Sequence, residues 1–478
     1  MEDLSCAAWH RMNLRARGRC VRRCRKTLNR GAFIPCREKT DWVHRCFPPA
    51  GTSVREIRIG DRTMHENMNV AVCAAFEPEL LLEQLRLLGT VGKESTAGRT
   101  RLALTDADRE GRDTVVGWMR ELGLAVHVDR IGNLFGVLDG SSSEEAPLMM
   151  GSHIDTVRMA GHLDGAYGVL AALAVLRAFR RAGVTPPRSL VAGAFTNEEG
   201  VRFQPDMLGS LVTAGGFPLD LALNRLAMDD GARLGDELKR IGYAGEMEPG
   251  ALRPREYFEL HVEQGPVLED EGRQIGIVEG VQGISWTRVV LSGAANHAGT
   301  TPTRLRKDAG YAAGLIITGV RSIAEALETT VGTVGSIGFE PGLINVIPSG
   351  AELTVDLRDP DEGRLLEAER RLDELLHEVS IRAHVDVRSE RLVHFAPVPF
   401  SQELVAMIER LAEERGLSHR RMISGAGHDA QMMARIAGVA MIFVPSAGGV
   451  SHSPDERTSD EDLIAGARLL LDAVLQRL

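Results

Sequence analysis

Histidine and carboxylate residues stand at the ends of predicted strands, which is where open α/β sheets place their functional groups. His153 and Asp155 are two residues apart at the end of one such strand, so their side chains point to the same face. An imidazole binds divalent metals, and a nearby carboxylate accepts its other N–H and fixes the tautomer. Taken alone, a His-x-Asp pair is more often a hydrogen-bonded surface pair than a metal site.

Three further carboxylates strengthen the case for a cation. Asp164 precedes Gly165 at the start of a predicted apolar helix, where an Asp usually serves as the N-cap. Glu198 and Glu199 follow the apolar run Ser189–Thr196. Adjacent residues of an extended chain point apart, so one can bind a metal while the other faces a substrate. Two neighbouring anions repel each other unless a cation compensates them, and the pair therefore favours a metal centre.

Two more histidines occupy similar positions. His261 closes an apolar-flanked run, and His452 follows a predicted strand, Val439–Pro445, and a glycine-rich turn. The set then contains three histidines and several carboxylates, each at the edge of a strand or loop. No single pair is specific, but the whole set predicts a divalent metal site.

Strands and helices alternate around these residues, which predicts an α/β sheet with helices on its faces. The predicted strands are 125–128, 134–138, 148–150, 189–196 and 439–445, and the predicted helices are 78–88, 106–122, 166–181 and 403–415. Residues 75–282 and 392–478 are together expected to form one α/β domain that carries the metal site.

The rhythm changes between residues 283 and 391, where the predicted order is β-α-β-β-α-β. The strands are expected at 284–291, 331–338, 352–357 and 382–388, and the helices at 307–327 and 362–379. This order is typical of a self-contained, ferredoxin-like α+β unit of about a hundred residues. The sequence thus predicts that a smaller domain is inserted into the α/β domain.

The chain has 478 residues, of which 44% are hydrophobic and 26% charged, a composition typical of soluble globular proteins. Its apolar runs are too short to span a membrane. Residues 1–63 carry 15 Lys and Arg against 6 Asp and Glu, whereas the rest carries 41 against 60. Because phosphate binding needs a basic face, the acidic body argues against nucleic acid as a partner. A body with almost no cysteine predicts a cytoplasmic location.

The basic leader has three interpretations. Cys20, Cys24, Cys36 and Cys46 are a possible zinc cluster, although two tight cysteine pairs are lacking. An Arg-rich transit peptide is the second, although the cysteines and acidic residues fit it poorly. The favoured interpretation is a disordered or misassigned extension over residues 1–70, with the natural start near Met64 or Met68.

Several ordered motifs resemble those of the metallopeptidase family of aminoacylases and carboxypeptidases with paired zinc ions. These motifs are Gly151–Thr156, Leu163–Gly165 and Asn197–Gly200. Others narrow the resemblance to the hydantoinase/carbamoylase branch, which includes N-carbamoyl-L-amino-acid hydrolases, allantoate amidohydrolases and β-ureidopropionases: Leu260–Pro266, Asn296–Pro302, Ser424–Ala430 and Ser446–Pro454. The resemblance spans about residues 75–478 and implies a zinc-peptidase-like catalytic domain interrupted by a lid and dimerisation domain.

The resemblance implies two divalent metal ions per subunit. Its ligands would be His153 and His261 at one ion, Glu199 and His452 at the other, and Asp164 between the two. Asp155 would be the partner of His153, and Glu198 would be the general base. Zinc suits these ligands, and manganese, cobalt and nickel are accommodated by similar sets.

Five further residues gain substrate roles from the resemblance. His297 would help to hold the oxyanion, while Asn345 and Arg358 would take the carboxylate of the substrate. Arginine suits a carboxylate because its planar fork donates two parallel hydrogen bonds. Gln264 and His428 would contact the ureido group. Without the resemblance, His297, Asn345 and Arg358 would be interpreted as a surface histidine, a turn asparagine and a solvated arginine.

The expected function is a metal-dependent amidohydrolase that cleaves the linear C–N amide of a small ureido or carbamoyl substrate with a carboxylate. A hydroxide bridged by the two ions would attack, and a homodimer is expected. An aminoacylase or metallo-exopeptidase is the alternative, although those branches usually carry a carboxylate at the position of His261. A non-catalytic scaffold is disfavoured because all five ligands and Glu198 are present. The chain departs from the family pattern at two positions. His162 is an unexpected histidine before Leu163 and Asp164, and Leu211 stands where the family usually carries an arginine.

Overall fold

The computed structural model describes residues 67–94 and 98–478. The four cysteines of the possible zinc cluster, the start at Met64 and residues 1–66 of the predicted extension lie outside this range. Residues 67–70 were also assigned to that extension, but they are part of a helical segment that continues to residue 74. This segment places Val72 fully inside the hydrophobic core, so the folded body begins earlier than predicted.

The larger part of the described chain is a mixed sheet of nine strands with helices packed against it. Its strands are β1 (Ala125–Val128), β2 (Leu134–Leu138), β3 (Leu148–His153), β4 (Leu190–Phe195), β5 (Glu256–Val262), β6 (Ile275–Val281), β11 (Val398–Pro399), β12 (His419–Ser424) and β13 (Gly438–Val444). Its helices are α1 (Pro78–Leu88), α2 (Asp106–Glu121), α3 (Ala166–Ala182), α4 (Leu208–Thr213), α5 (Leu219–Leu223), α6 (Leu234–Ile241), α7 (Val267–Asp270), α10 (Gln402–Arg415), α11 (Asp429–Met433) and α12 (Asp460–Gln476).

Four neighbouring strands of this sheet are parallel, in the spatial order β4, β3, β5 and β13. In register, His153 lies beside Phe195 and His261 lies beside Phe443. The carboxyl ends of all four strands therefore meet at one edge of the sheet. Parallel sheets place ligand sites at this edge because the loops that leave the strands converge there.

Helix α3 packs against the strands that form this edge. Every residue of its first four turns, from Ala166 to Phe179, is buried, as expected for a helix that is apolar on all sides. The helix packs against β3, β4 and β5, and its amino terminus lies next to the carboxyl end of β5, where the Gly165 N–H donates to His261 Nε2. Although α3 is apolar, no helix within residues 67–94 and 98–478 is long and apolar enough to cross a membrane.

Residues between β6 and β11 form a second, four-stranded antiparallel sheet. Its elements are β7 (Gly283–Ser292), α8 (Ala309–Ala326), β8 (Val331–Glu340), β9 (Gly350–Asp359), α9 (Glu362–Ala383) and β10 (Asp386–Phe395), and the strands are ordered β10-β7-β9-β8. The elements follow the predicted β-α-β-β-α-β order. The two helices cover one face of the sheet and enclose a hydrophobic core of their own.

The bounds of one predicted strand in this region are wrong. Residues 382–388 were expected to form it, but α9 continues through Ala383 and ends where His384 adopts a left-handed backbone with φ 54°. The buried side chains of Val379 and Ala383 extend the apolar face of the helix, and this packing outweighs the local strand preference. The strand β10 begins at Asp386 and pairs with β7 as far as Phe395.

A buried charge cluster ties the opposite edge of the large sheet together. Glu256, the first residue of β5, is only 3% exposed. Its carboxylate lies 2.5 Å from Arg188 Nη2 and 2.6 Å from Arg477 Nη2, which connects β4 and α12 to β5. Burial alone would raise the pKa of Glu256, but these hydrogen bonds hold it below its usual value.

We expect E256Q to lower the free energy of unfolding by about 3 kcal/mol at pH 7, since it leaves the buried Arg188 without its anion. Because the folded-state pKa is depressed, this stabilisation is present above the unfolded-state pKa of about 4.3 and is lost as the pH falls through the folded-state value. Denaturant unfolding between pH 3 and pH 7 measures it. The exposed partner of Arg477 provides the control, and E403Q should cost under about 0.5 kcal/mol. A pH-independent penalty for E256Q would contradict this account.

Candidate metal centre

The predicted ligands come together at the carboxyl edge of the four parallel strands. His153 is the last residue of β3, and His261 is the sixth of the seven residues of β5. Glu198 and Glu199 lie in the loop after β4, and His452 lies in the loop after β13. Residues far apart in sequence thus meet because their strands are neighbours in the sheet.

Asp164 lies at the centre of this cluster. Its Oδ1 is 3.5 Å from His153 Nε2 and 3.2 Å from His261 Nε2. Its Oδ2 is 3.2 Å from His452 Nε2, which is itself 3.4 Å from Glu199 Oε2. The ligand atoms thus form two groups that share one carboxylate.

The tautomers of the two buried histidines favour a cation. His153 Nδ1 lies 3.0 Å from the backbone oxygen of Asp155, and His261 Nδ1 lies 2.9 Å from that of Val262. A carbonyl oxygen only accepts, so each Nδ1 carries a hydrogen and each neutral ring presents a lone pair at Nε2. His153 Nε2 faces oxygens of Asp164 and Glu198, an arrangement that needs a proton or a metal ion between them. His261 Nε2 accepts the backbone N–H of Gly165 at 3.1 Å and also lies 3.2 Å from Asp164 Oδ1. The donor set therefore fits divalent metals.

Asp164 is not the helix N-cap that its position also allowed. The N-cap of α3 is Gly165, which makes no side-chain capping bond, and the Asp164 carboxylate faces the histidines instead. Gly165 has φ 63°, and a Cβ at this position would overlap the ring of His153. A glycine is therefore required here for both backbone and space. The tight turn directs Asp164 across the end of β3.

The Asp155 carboxylate binds the turn that carries Glu198 and Glu199 rather than the ring of His153. Its Oδ1 accepts the backbone N–H of Glu198 at 3.3 Å, and its Oδ2 accepts that of Glu199 at 3.3 Å. The carboxylate is 4.0 Å from His153 Nδ1, beyond hydrogen-bond distance, so the contact to the ring is made by the backbone oxygen. Glu198 is 8% exposed, and its Oε2 lies 3.4 Å from His153 Nε2.

Burial and neighbouring charges govern protonation in the cluster. Burial opposes protonation of His153, but Glu198 and Asp164 outweigh it and raise the pKa of this histidine well above its usual value. Burial would raise the pKa of Asp164, but hydrogen bonds with three histidines hold it well below its usual range. Burial raises the pKa of Glu198 strongly and, together with Asp164, raises that of Glu199 to about 8. A divalent ion would displace these protons.

Backbone strain is concentrated around the same cluster. Asn197, Met207, Gln264 and His452 all have positive φ, between 50° and 59°. Residues other than glycine rarely adopt this conformation, and its cost is tolerated where the surrounding structure fixes it for a function. Asn197 is held by hydrogen bonds with Phe203 through both its amide nitrogen and its amide oxygen. These constraints fix the direction in which the site side chains point.

A cavity of about 150 Å³ opens onto the cluster. Two of the predicted substrate residues line it, Gln264 and His428. Gln264 donates from Nε2 to Asp164 Oδ2 at 2.9 Å. His428 is buried with its ring centre 4.6 Å from that of His261, and burial lowers its pKa well below the usual value. A neutral imidazole is thus available beside the metal ligands.

The other three predicted substrate residues do not line this cavity: Arg358 lies on β9, and His297 and Asn345 lie in loops between elements of the second sheet. Arg358 lies closest to it. Its Nη1 donates to the backbone oxygen of Gly425 at 2.8 Å, and the next residue, Ala426, lines the cavity. His297 and Asn345 lie on adjacent exposed segments, joined by a hydrogen bond from Ala298 N to Asn345 O. The structure therefore groups His297 with Asn345, apart from the metal ligands.

The sequence analysis missed several polar residues of the site. Asp206 lines the cavity, and Glu456 accepts a hydrogen bond from the Asp164 backbone N–H. Glu259 lies within metal-binding distance of His261 and His428, but its oxygens already accept hydrogen bonds from three groups: Ser152 Oγ, Tyr257 OH and Ala430 N. No local sequence pattern singles out Glu456, because its role comes from loop packing. The flagged His162 does not line the cavity, and burial lowers its pKa to about 4.

We expect Zn²⁺ or Mn²⁺ to raise the melting temperature, because the ions bind the folded ligand set more tightly than the unfolded chain. Binding at pH 7.5 should also release protons, since the hydrogen bond with Asp164 raises the pKa of His452 to about 9. Scanning fluorimetry and weakly buffered titration measure these effects. D164N should lose both responses because Asp164 belongs to both ligand groups, whereas the exposed-surface control D236N should keep them. An unchanged melting temperature in the unsubstituted protein would contradict the assignment.

Comparison with known proteins shows which family the chain resembles in sequence. A model of peptidase family M20/M25/M40 matches residues 149–476. The chain is 40% identical over 399 residues to the N-carbamoyl-L-amino-acid amidohydrolase of Rhizobium meliloti, which covers 83% of this chain and 95% of that protein. It is 35% identical over 395 residues to the allantoate amidohydrolase of Bacillus subtilis (strain 168), covering 82% and 96%.

A solved structure agrees with these sequence matches. The crystal structure of a hydantoinase/carbamoylase family amidase from Burkholderia multivorans superposes with a TM-score of 0.82 at 38% identity, covering 84% of this chain and 98% of that one. The predicted α/β fold and the predicted resemblance are both confirmed. The chain therefore belongs to peptidase family M20/M25/M40 and, within it, to the hydantoinase/carbamoylase amidases.

Proposed function

We propose that this amidase hydrolyses the carbamoyl group of a small ureido compound that carries a carboxylate, using two divalent metal ions per subunit. Water and R–NH–CO–NH₂ are converted into R–NH₂, carbon dioxide and ammonia. The observation that carries this proposal is the position of Asp164, whose two carboxylate oxygens face different histidines at 3.2 Å. Such a shared carboxylate suits two ions a few ångströms apart.

The ligand groups divide naturally between the ions. His153 and His261 would hold one, Glu199 and His452 would hold the other, and Asp164 would belong to both. When bound, two such ions polarise the carbamoyl oxygen and make a shared water acidic near neutral pH. Zinc fits these nitrogen and oxygen donors, and manganese, cobalt or nickel fit similar sets.

Glu198 is proposed as the general base. Its carboxylate faces the cavity beside His153 and is not needed by either ligand group. A base works best when its pKa lies near the operating pH, and burial moves the pKa of Glu198 upward from its usual low value. Glu198 would take a proton from the attacking water and deliver it to the leaving nitrogen.

The residues proposed to bind the substrate come from both the large α/β part and the region of the second sheet. Gln264 and His428 line the cavity and would contact the ureido group. Arg358 lies at its border and, with Asn345, would bind the substrate carboxylate. His297 would stabilise the oxyanion. Because His297 and Asn345 lie apart from the metal ligands, we propose that the inserted domain, residues 283–391, closes over the cavity as a lid during turnover.

The relatives and His261 support a proposal for the substrate class. The two relatives described above act, by their names, on N-carbamoyl-L-amino acids and on allantoate. We therefore propose one of these compounds as the substrate. Hydrolysis of peptides or acyl-amino acids is the alternative within the wider family, and a histidine at position 261 disfavours it.

A homodimer is proposed from the outer edge of the second sheet. Strand β8 is the last strand of this sheet, and one of its edges pairs with no strand among the described residues. It exposes apolar side chains, among them Val331 at 54%, Ile337 at 40% and Phe339 at 46%. Unpaired apolar edges are usually covered in the assembled protein. The proposed location is the cytoplasm, on the basis of the low cysteine content outside the leader.

A substrate panel tests the proposed reaction. Ammonia release should occur with an N-carbamoyl-L-amino acid or allantoate, and a chelator should abolish it because the ligand groups then lack their ions. The panel also contains β-ureidopropionate and an N-acetyl amino acid whose hydrolysis is followed by amine detection. No release from any ureido compound, together with cleavage of the acetylated compound, would place the chain with the aminoacylases instead.

E198Q tests the base assignment. We expect kcat to fall by about 10²–10⁴-fold, since the amide cannot accept the proton, while metal content stays close to that of the parent. E199Q is the matched control, because it removes a ligand from the neighbouring position and should lower metal content as well as activity. Metal analysis and initial rates distinguish the two variants. A near-normal rate in E198Q would exclude Glu198 as the base.

A further inference from the structure

Glu456 connects two loops that carry proposed metal ligands and are far apart in sequence, the loop of Asp164 and the loop of His452. It lies four residues after His452 and is only 2% exposed. Its Oε2 accepts the backbone N–H of Leu163 at 2.8 Å and that of Asp164 at 3.4 Å. The loop after β13 thereby holds the backbone of the shared ligand Asp164.

The glycine at position 161 makes room for this carboxylate. A Cβ on Gly161 would overlap three atoms of the Glu456 side chain, including Oε2, and the three atoms nearest to it all belong to Glu456. Gly161 does not have a positive φ, so its backbone does not itself require glycine. The fit between Gly161 and Glu456 is therefore the steric constraint on this position.

Two more contacts join the same loops on the metal side. Ser451 Oγ donates to Asp164 Oδ2 at 3.3 Å, and His452 Nε2 lies 3.2 Å from the same oxygen. The contacts made by Glu456 lie behind Asp164, on its backbone, whereas these lie in front, on its carboxylate. Asp164 is thus held from both sides by one segment, residues 451–456.

We propose that Glu456 is a positioning residue that orients Asp164 so that its two oxygens face the two ligand groups. The proposal rests on the metal pair of the proposed function, but it concerns metal affinity rather than turnover. Partners that orient metal ligands typically change metal affinity by about 10–100-fold when they are removed. Without the Glu456 contact, the loop before α3 is free to turn the Asp164 carboxylate away.

Substitutions at the two positions form a double-mutant cycle. E456A removes the carboxylate, G161A keeps it but displaces it, and the double variant removes the carboxylate and the overlap together. E456Q is the conservative variant, because its amide oxygen still accepts the two N–H groups. G117A is the matched glycine control, since a Cβ there meets no atom within 4 Å.

Zn²⁺ affinity is measured by competition with a chromophoric chelator, alongside the melting temperature of the metal-free protein. We expect E456A to bind Zn²⁺ at least 10-fold more weakly and G161A at least 5-fold more weakly. E456Q should stay within threefold of the parent, and G117A should be unchanged. The double variant should be no worse than E456A alone, because the overlap no longer exists.

Three results would overturn the proposal. Affinities of E456A and G161A within twofold of the parent would mean that any fall in melting temperature reflects folding alone. A double variant whose defect equals the product of the two single defects would show that the positions act independently. If E456A does not fold, a G161A variant with parental affinity decides against it. None of these results depends on ureido hydrolysis, so failure of the proposed reaction is recognised separately.

Discussion

The site depends on one carboxylate shared between two groups of ligands. Asp164 is 4% exposed and lies within 3.5 Å of three histidine nitrogens, so its charge is fully engaged in a region with little water. A buried anion of this kind is stable only when cations or protons surround it. The placement of the neighbouring ligands, the tight turn at Gly165 and the loop that carries Glu456 all serve this one group.

The large sheet supplies the frame for that arrangement. Parallel pairing aligns the carboxyl ends of β3, β4, β5 and β13, and rigid register places His153 and His261 side by side with ring centres 6.0 Å apart. The loops then add the acidic residues, and they do so with strained backbone at Asn197, Gln264 and His452. The strands thus fix the positions of His153 and His261, while the constrained loops fix the positions of the acidic residues.

The sequence could predict that the histidines and the acidic pair lie together, because each follows an apolar run and strand ends converge in a parallel sheet. Asp164 precedes a helix, and its place between the two ligand groups was implied only by the resemblance. The sequence also predicted the helix α3 closely, since its apolar residues cover the whole helix surface. It could not find Glu456 or Asp206, because their roles come from loop packing and not from a local pattern. The strand expected at 382–388 begins only at Asp386 for a related reason, since burial of Ala383 in the second core extends α9. Tertiary contacts, not local preference, decided these cases.

The central claim is that activity requires both ligand groups around Asp164 to be filled. The most direct test titrates metal-free protein with Zn²⁺ or Mn²⁺ and follows ammonia release from an N-carbamoyl-L-amino acid or allantoate in the same samples. The account predicts that the rate reaches its maximum only as the second equivalent of metal per chain is bound. Full activity at one equivalent, or activity in the metal-free protein, would contradict it.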